Sequence, residues 1–294
     1  MSASDQTRVK RKSRFFGIIF GLVSRPSGAI GAFFVLSNVV IAIISPWIAP
    51  YDFKAVNAVS ILDPPSWQHW LGTDQLGRDV LTRTLMGGRQ ALIVTMTATP
   101  LAVLWGGAIG IYAGLVAGRF DEILMRIVDA FLSLPWILKM LLIIVMFGSG
   151  LFVLIPTLAF FYGIPVIRIA RAATHSIVAR DYISAARARG QSRYSIIRYE
   201  IMPNVLDALL VEGAMRWSWM LLAFTSLSFL GFGVSPPTPD WGLMIADARS
   251  FMAIAPWAGL APVVALSLLI IGINLTADAL AKSLGLDRAQ STVH

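Results

Sequence analysis

The chain has 294 residues, 56% of them hydrophobic and only 14% charged, with a net charge of +8. Soluble domains run at roughly 45–50% apolar and about 25% charged, so a mean hydropathy of +0.72 excludes a water-soluble fold and points to an all-α membrane protein. Zero cysteines and three scattered histidines, His69, His175 and His294, exclude a disulfide framework and a thiolate metal site; the positive charge reads as cytoplasmic loops, not as affinity for nucleic acid.

Residues 1–28 form a basic segment. Arg8, Lys10, Arg11, Lys12 and Arg14 precede Phe15, Phe16, Ile18, Ile19 and Phe20, and Ser24, Arg25 and Pro26 break the apolar run. That pattern predicts a short interfacial helix on the inner membrane surface, not a cleaved signal. The first transmembrane helix is expected over 29–48, followed by a polar periplasmic segment over 49–89. Five further helices are expected within 90–281. They cover about 91–117, 123–147, 151–167, 205–232 and 257–280, with a tight loop at 118–122 and a bend where Pro135 removes a backbone donor. A basic cytoplasmic loop over 173–204 separates spans four and five, and 282–294 form a short tail. With six spans and both termini inside, 17 of the 24 Lys and Arg fall on the cytoplasmic side and 5 outside. Lys139 and Arg216 remain inside spans.

The loop contains Arg180-Asp181-Tyr182-Ile183-Ser184-Ala185-Ala186-Arg187-Ala188-Arg189-Gly190. Alanine and arginine favour a short helix, Gly190 suits the left-handed position that ends it, and Ser192 can cap a second helix that Pro203 is expected to close. Small residues at Ala185 and Ala186 would let another surface come close to the backbone.

This loop resembles the "EAA" motif of ABC-importer permeases: Glu-Ala-Ala, three residues, Gly, nine residues, Ile-x-Leu-Pro. Here Ala185, Ala186, Gly190 and Pro203 match, while Ser184 stands for Glu, Glu200 for Ile and Met202 for Leu. The stretches His69 to Arg83 and Leu227 to Gly242 resemble segments of the dipeptide, oligopeptide and nickel permeases of C type, so the likeness runs from the first span to Leu280. It implies a membrane-spanning subunit of a binding-protein-dependent importer for peptides or similar small solutes, multi-pass in the bacterial inner membrane and without catalytic activity of its own. It also implies a second homologous permease, two cytoplasmic ATPases that carry ATP and Mg, and an extracytoplasmic solute-binding protein. No cofactor is expected on this chain, which lacks a phosphate loop of the form GxxxxGK[ST].

Under the resemblance, Tyr182, Ser184, Ala185, Ala186, Arg187, Gly190 and Pro203 are candidates for coupling to the ATPase. Asp74, Arg78, Asp79, Pro237, Asp240 and Trp241 are candidates for contact with the binding protein; on residue chemistry alone the acids and arginines could equally neutralise one another. Lys139, Glu212 and Arg216 are ionisable groups inside spans, which marks them for the translocation pathway, although Glu212 and Arg216 are also spaced to pair on one helix. The family usually has an apolar residue at Lys139 and commonly Glu at Phe224. The rival reading is a self-sufficient secondary transporter or channel, for which the expected inverted halves are not visible.

Overall fold

A computed structural model of the chain describes residues 21–285. The interfacial helix expected in the first twenty residues and the tail beyond 285 lie outside the described residues. Among these, regular structure is helical, apart from one isolated bridge between Thr73 and Asp79. The long helices are α1 (Pro26–Ile48), α2 (Val80–Val116), α3 (Gly118–Ser133), α4 (Trp136–Phe147) and α5 (Leu151–Val178). Two short ones follow, α6 (Asp181–Ala188) and α7 (Arg193–Ile196), then α8 (Met202–Phe229), α9 (Trp241–Ala248) and α10 (Pro256–Ser283).

Four of these helices, α1, α2, α5 and α10, are long and apolar enough to cross a membrane; α3 and α4, bent by 87° at their junction, make a fifth if counted as one broken span. The break is where Pro135 was expected to bend the third span. Helix α8 is 28 residues long, about 42 Å, but Asp207, Glu212 and Arg216 and its many Ser, Thr and Trp residues keep it below the hydropathy of the other four.

Several boundaries differ from expectation. Helix α2 begins at Val80, eleven residues early, because Asp79 accepts from the Thr82 amide at 2.7 Å and caps it. The loop expected at 118–122 is instead the first turn of α3, and the reversal is confined to Ala117 (φ 52) and Gly118 (φ 72). Helix α5 continues past Ile167 to Val178, so Arg168 and Arg171 lie on a helix and not in a loop. Pro203 does not close a helix. It stands in the first turn of α8, where a missing N–H costs nothing, and a π turn over Ile197–Ile201 joins α7 to α8.

The close packing of α2 on α5 rests on Gly106, Gly110 and Gly114, spaced every four residues. A Cβ at Gly106 would lie 2.3 Å from the Gly163 carbonyl oxygen, and one at Gly110 would lie 2.4 Å from that of Ile167. Small residues at this spacing let two backbones touch, the main source of helix attraction where lipid is as apolar as the side chains. Trp105 adds a hydrogen bond across the same seam, its Nε1 donating to the Ala159 carbonyl at 2.9 Å. Helix α8 is tied to α2 by Trp217, whose Nε1 donates to Thr95 Oγ1 at 2.9 Å.

Candidate functional site

The loop between α5 and α8 folds as a seated knob. Helix α6 ends in a Schellman turn: Gly190 N–H bonds to the Arg187 carbonyl at 2.9 Å and Gln191 N–H to that of Ala186 at 3.2 Å. Gly190 takes φ +76, as the left-handed position requires. Ser192 then caps α7, its Oγ accepting from the Ser195 amide at 3.2 Å.

Beneath α6, Ile183 and Ala186 are fully buried. They join a cluster with Ile111 and Leu115 of α2, Val166, Ala170 and Ile177 of α5, and Ile196, Ile201, Val205 and Leu209 on the way into α8. Ala186 therefore packs inward, and Tyr182, Ser184, Ala185, Arg187, Gly190 and Pro203 are the coupling candidates left exposed. Through this cluster α6 shares one buried core with α2, α5 and the start of α8.

At the opposite end, the polar candidates form a buried clamp instead of a surface. Asp74, Arg78, Asp79, Asp240 and Trp241 are all buried, and Pro237 alone of the six is exposed. Arg78 Nε meets Asp74 Oδ2 at 2.7 Å, and its Nη2 lies 3.8 Å from Asp247. Asp79 accepts from Thr82 and lies 2.9 Å from His69 Nδ1. Trp241 wedges against Gly87 and Gly88 and donates to the Thr84 carbonyl at 2.8 Å. Burial of these five fits the alternative already open from their chemistry, that acids and arginines neutralise one another within a scaffold.

Asp240 caps α9, its Oδ1 accepting from Gly242 at 2.8 Å and Leu243 at 3.3 Å, with a further bond from the Ser228 hydroxyl. Burial pushes its carboxyl above the ordinary carboxylate range, against the opposing pull of those three donors.

Arg83, which the sequence offered only as a charge to neutralise Asp74 and Asp79, is the centre of the clamp. Its side chain is 1% exposed and lies 3.6 Å from Asp74 Oδ2. It donates to the Phe53 carbonyl at 3.1 Å and to that of Pro237 at 3.4 Å, so one guanidinium holds the 49–79 segment, α2 and the turn before α9. Trp257 at the start of α10 joins the same unit, donating to the Thr73 carbonyl at 3.2 Å. Trp67 and Trp70 stand out from this unit as exposed indoles.

The three charges expected in a pathway are each satisfied locally. Arg216 Nε donates to Glu212 on the next turn of α8. Lys139 reaches back over the Pro135 break, donates to the Phe131 carbonyl at 2.9 Å and stands 5.4 Å from the Phe161 ring. It thus fills a carbonyl that the break leaves open. A second ion pair missed in the sequence joins α3 to α5, where the Arg171 guanidinium grips both oxygens of buried Asp121.

Comparison with known proteins agrees with this architecture. Residues 106–286 match the model of the family described as binding-protein-dependent transport system inner membrane component. The chain is 34% identical to the di/tripeptide transport system permease protein DppC of Pseudomonas aeruginosa, over 87% of each chain. It is 30% identical to the probable D,D-dipeptide transport system permease protein DdpC of Escherichia coli, over 95% of each. Identity to the glutathione transport system permease protein GsiD of Shigella dysenteriae is 36%, over 86% of this chain and 84% of that one. With its family-model match, a seated knob at the position of the family's signature loop and relatives aligned over most of their length, the chain belongs to the binding-protein-dependent transport system inner membrane component family.

Proposed function

We propose that the chain is a permease subunit of an ATP-driven importer in the bacterial inner membrane, moving peptides or peptide-like solutes delivered by a binding protein. The observation that carries this reading is the exposed face of α6 above fully buried Ile183 and Ala186, at the position that the family uses for coupling. Relatives of di/tripeptide, D,D-dipeptide and glutathione systems share small peptides as a substrate class.

In this reading α8 and the α3–α4 pair complete six spans, with both termini in the cytoplasm as the Lys and Arg distribution requires. Two cytoplasmic ATPases bind ATP and Mg, and their closure pushes on Tyr182, Ser184, Ala185 and Arg187. The push passes through Ile183 and Ala186 into α5 and α8, which rearrange against a second, homologous permease. The binding protein docks outside on the exposed turn around Pro237 and the Trp67–Trp70 turn, where large apolar side chains face solvent.

The test is co-reconstitution with the partner permease, the two ATPases and the binding protein in liposomes. Peptide uptake should require every component and ATP. Uptake by this chain alone, without nucleotide, would show a self-sufficient carrier and end the proposal.

A further inference from the structure

Helix α3 has three faces. Asp121, Leu124, Val128 and Phe131 turn into the chain's own core. Phe120, Ile123, Ile127 and Leu134 form an exposed apolar stripe. Between them Arg119, Glu122, Arg126, Asp129 and Ser133, at spacings of three and four, form an exposed polar stripe, about 21 Å long at 1.5 Å per residue.

The polar stripe runs alongside a helix long and apolar enough to span. Asp121 is gripped by Arg171 near one end of α3, while Phe131 meets the Phe160 ring edge-on at 5.7 Å near the other. Eleven residues of α3 thus run opposite twelve of α5, antiparallel to a helix that qualifies as a span. Asp129 faces Arg168 of α5 at 3.5 Å, and among the described residues Arg119, Glu122 and Arg126 have no ion-pair partner. Exposing such a group to hydrocarbon is unfavourable. Three unpaired charges make a poor lipid-facing surface, and water over the stripe would remove that cost.

From this geometry we propose that the Arg119–Ser133 stripe is the water-facing wall of the solute passage, while Ile123 and Ile127 face lipid or the neighbouring permease. This rests on the importer reading. Its charges alternate in sign along the helix, giving a hydrated wall with no net charge, suited to dipolar solutes that carry one charge of each sign, as free peptides do. Such a wall hydrates its cargo without trapping either end. Lys139, Glu212 and Arg216, each satisfied within the chain, are not needed for that role.

The chain contains no cysteine, so single cysteines can be placed along α3 in the complete complex and treated with a membrane-impermeant thiol reagent from the cytoplasmic side. Glu122→Cys, Arg126→Cys and Ser133→Cys should react, Ile123→Cys and Ile127→Cys should not, and trapping the ATPases closed with nucleotide should slow the reactive set. Uniform labelling, a reversed pattern, or rates indifferent to nucleotide would each overturn the assignment. Uptake is measured in the same vesicles. A failed pattern in a transporting complex removes the stripe alone, whereas absent uptake removes the importer reading.

Discussion

Replacing Ile183 by Ala should detach α6 without disturbing the spans. The side chain is fully buried, and the change removes three carbons. At about 0.8 kcal/mol each, plus a cavity that α5 and the π turn cannot close, the loss comes to about 3 kcal/mol. An eight-residue helix has no stability of its own, since isolated helices shorter than ~12 residues are marginal in water. The loss therefore falls on local opening of α6. Amide hydrogen exchange over 181–189 in the assembled complex should speed up by about 150-fold, with α5 and the membrane part of α8 unchanged. ATP hydrolysis should lose its stimulation by loaded binding protein. The matched control is Ala185→Leu on the exposed face, which should leave exchange unchanged but weaken ATPase docking. If Ile183→Ala leaves exchange within a fewfold of the parent, α6 is not held by this cluster and the transmission argument fails.

Three further outcomes follow from the packing and the clamp. Gly110→Val should lower the thermal stability of the purified subunit by about 3 kcal/mol, because its Cβ meets the Ile167 carbonyl at 2.4 Å; an unchanged melting curve would refute the contact. Lys139→Leu should cost about 1 kcal/mol through the lost bond to Phe131, yet leave the ratio of acidic to basic peptide uptake unchanged; a shifted ratio would return Lys139 to the pathway. Asp240→Asn keeps an acceptor at the α9 cap and tests the buried carboxyl. A carboxyl whose pKa is raised by folding stabilises fully below its ordinary value of 3.8 and loses that contribution as pH rises through the folded value. The cost of the substitution should thus be smaller at neutral pH than in acid, read as the difference in melting temperature between the two proteins. A difference that does not change with pH would contradict it.

What could be read from the sequence was local. Gly190, Ser192 and Pro135 announce an end, a cap and a break by backbone chemistry alone, and the spacing of Glu212 and Arg216 announces their pairing. The GxxxG-type spacing of Gly106, Gly110 and Gly114 was equally readable and went unused. What could not be read depended on partners far along the chain. The 80–90 stretch looks like a polar loop because it holds Arg83 and Arg89, yet Arg83 is buried by Phe53, Asp74 and a carbonyl at Pro237. Asp74, Arg78, Asp240 and Trp241 look like surface residues until α2, α9 and the outer segment are brought together. Pro203 reads as a stop from the sequence, and only the π turn before it shows it as a start.

The two ends of the molecule are held differently, and that difference has a mechanical meaning. The clamp end is bolted by charge around Arg83, whereas at the other end α6 itself is seated on aliphatic contact. A body fixed at one end and free at the other behaves as a lever. If a motor shifts the free end of a 28-residue helix, about 42 Å long, by about 5 Å, rotation about the bolted end is about 7°. Small strokes of that size would move the end that carries α6 while hardly altering the clamp.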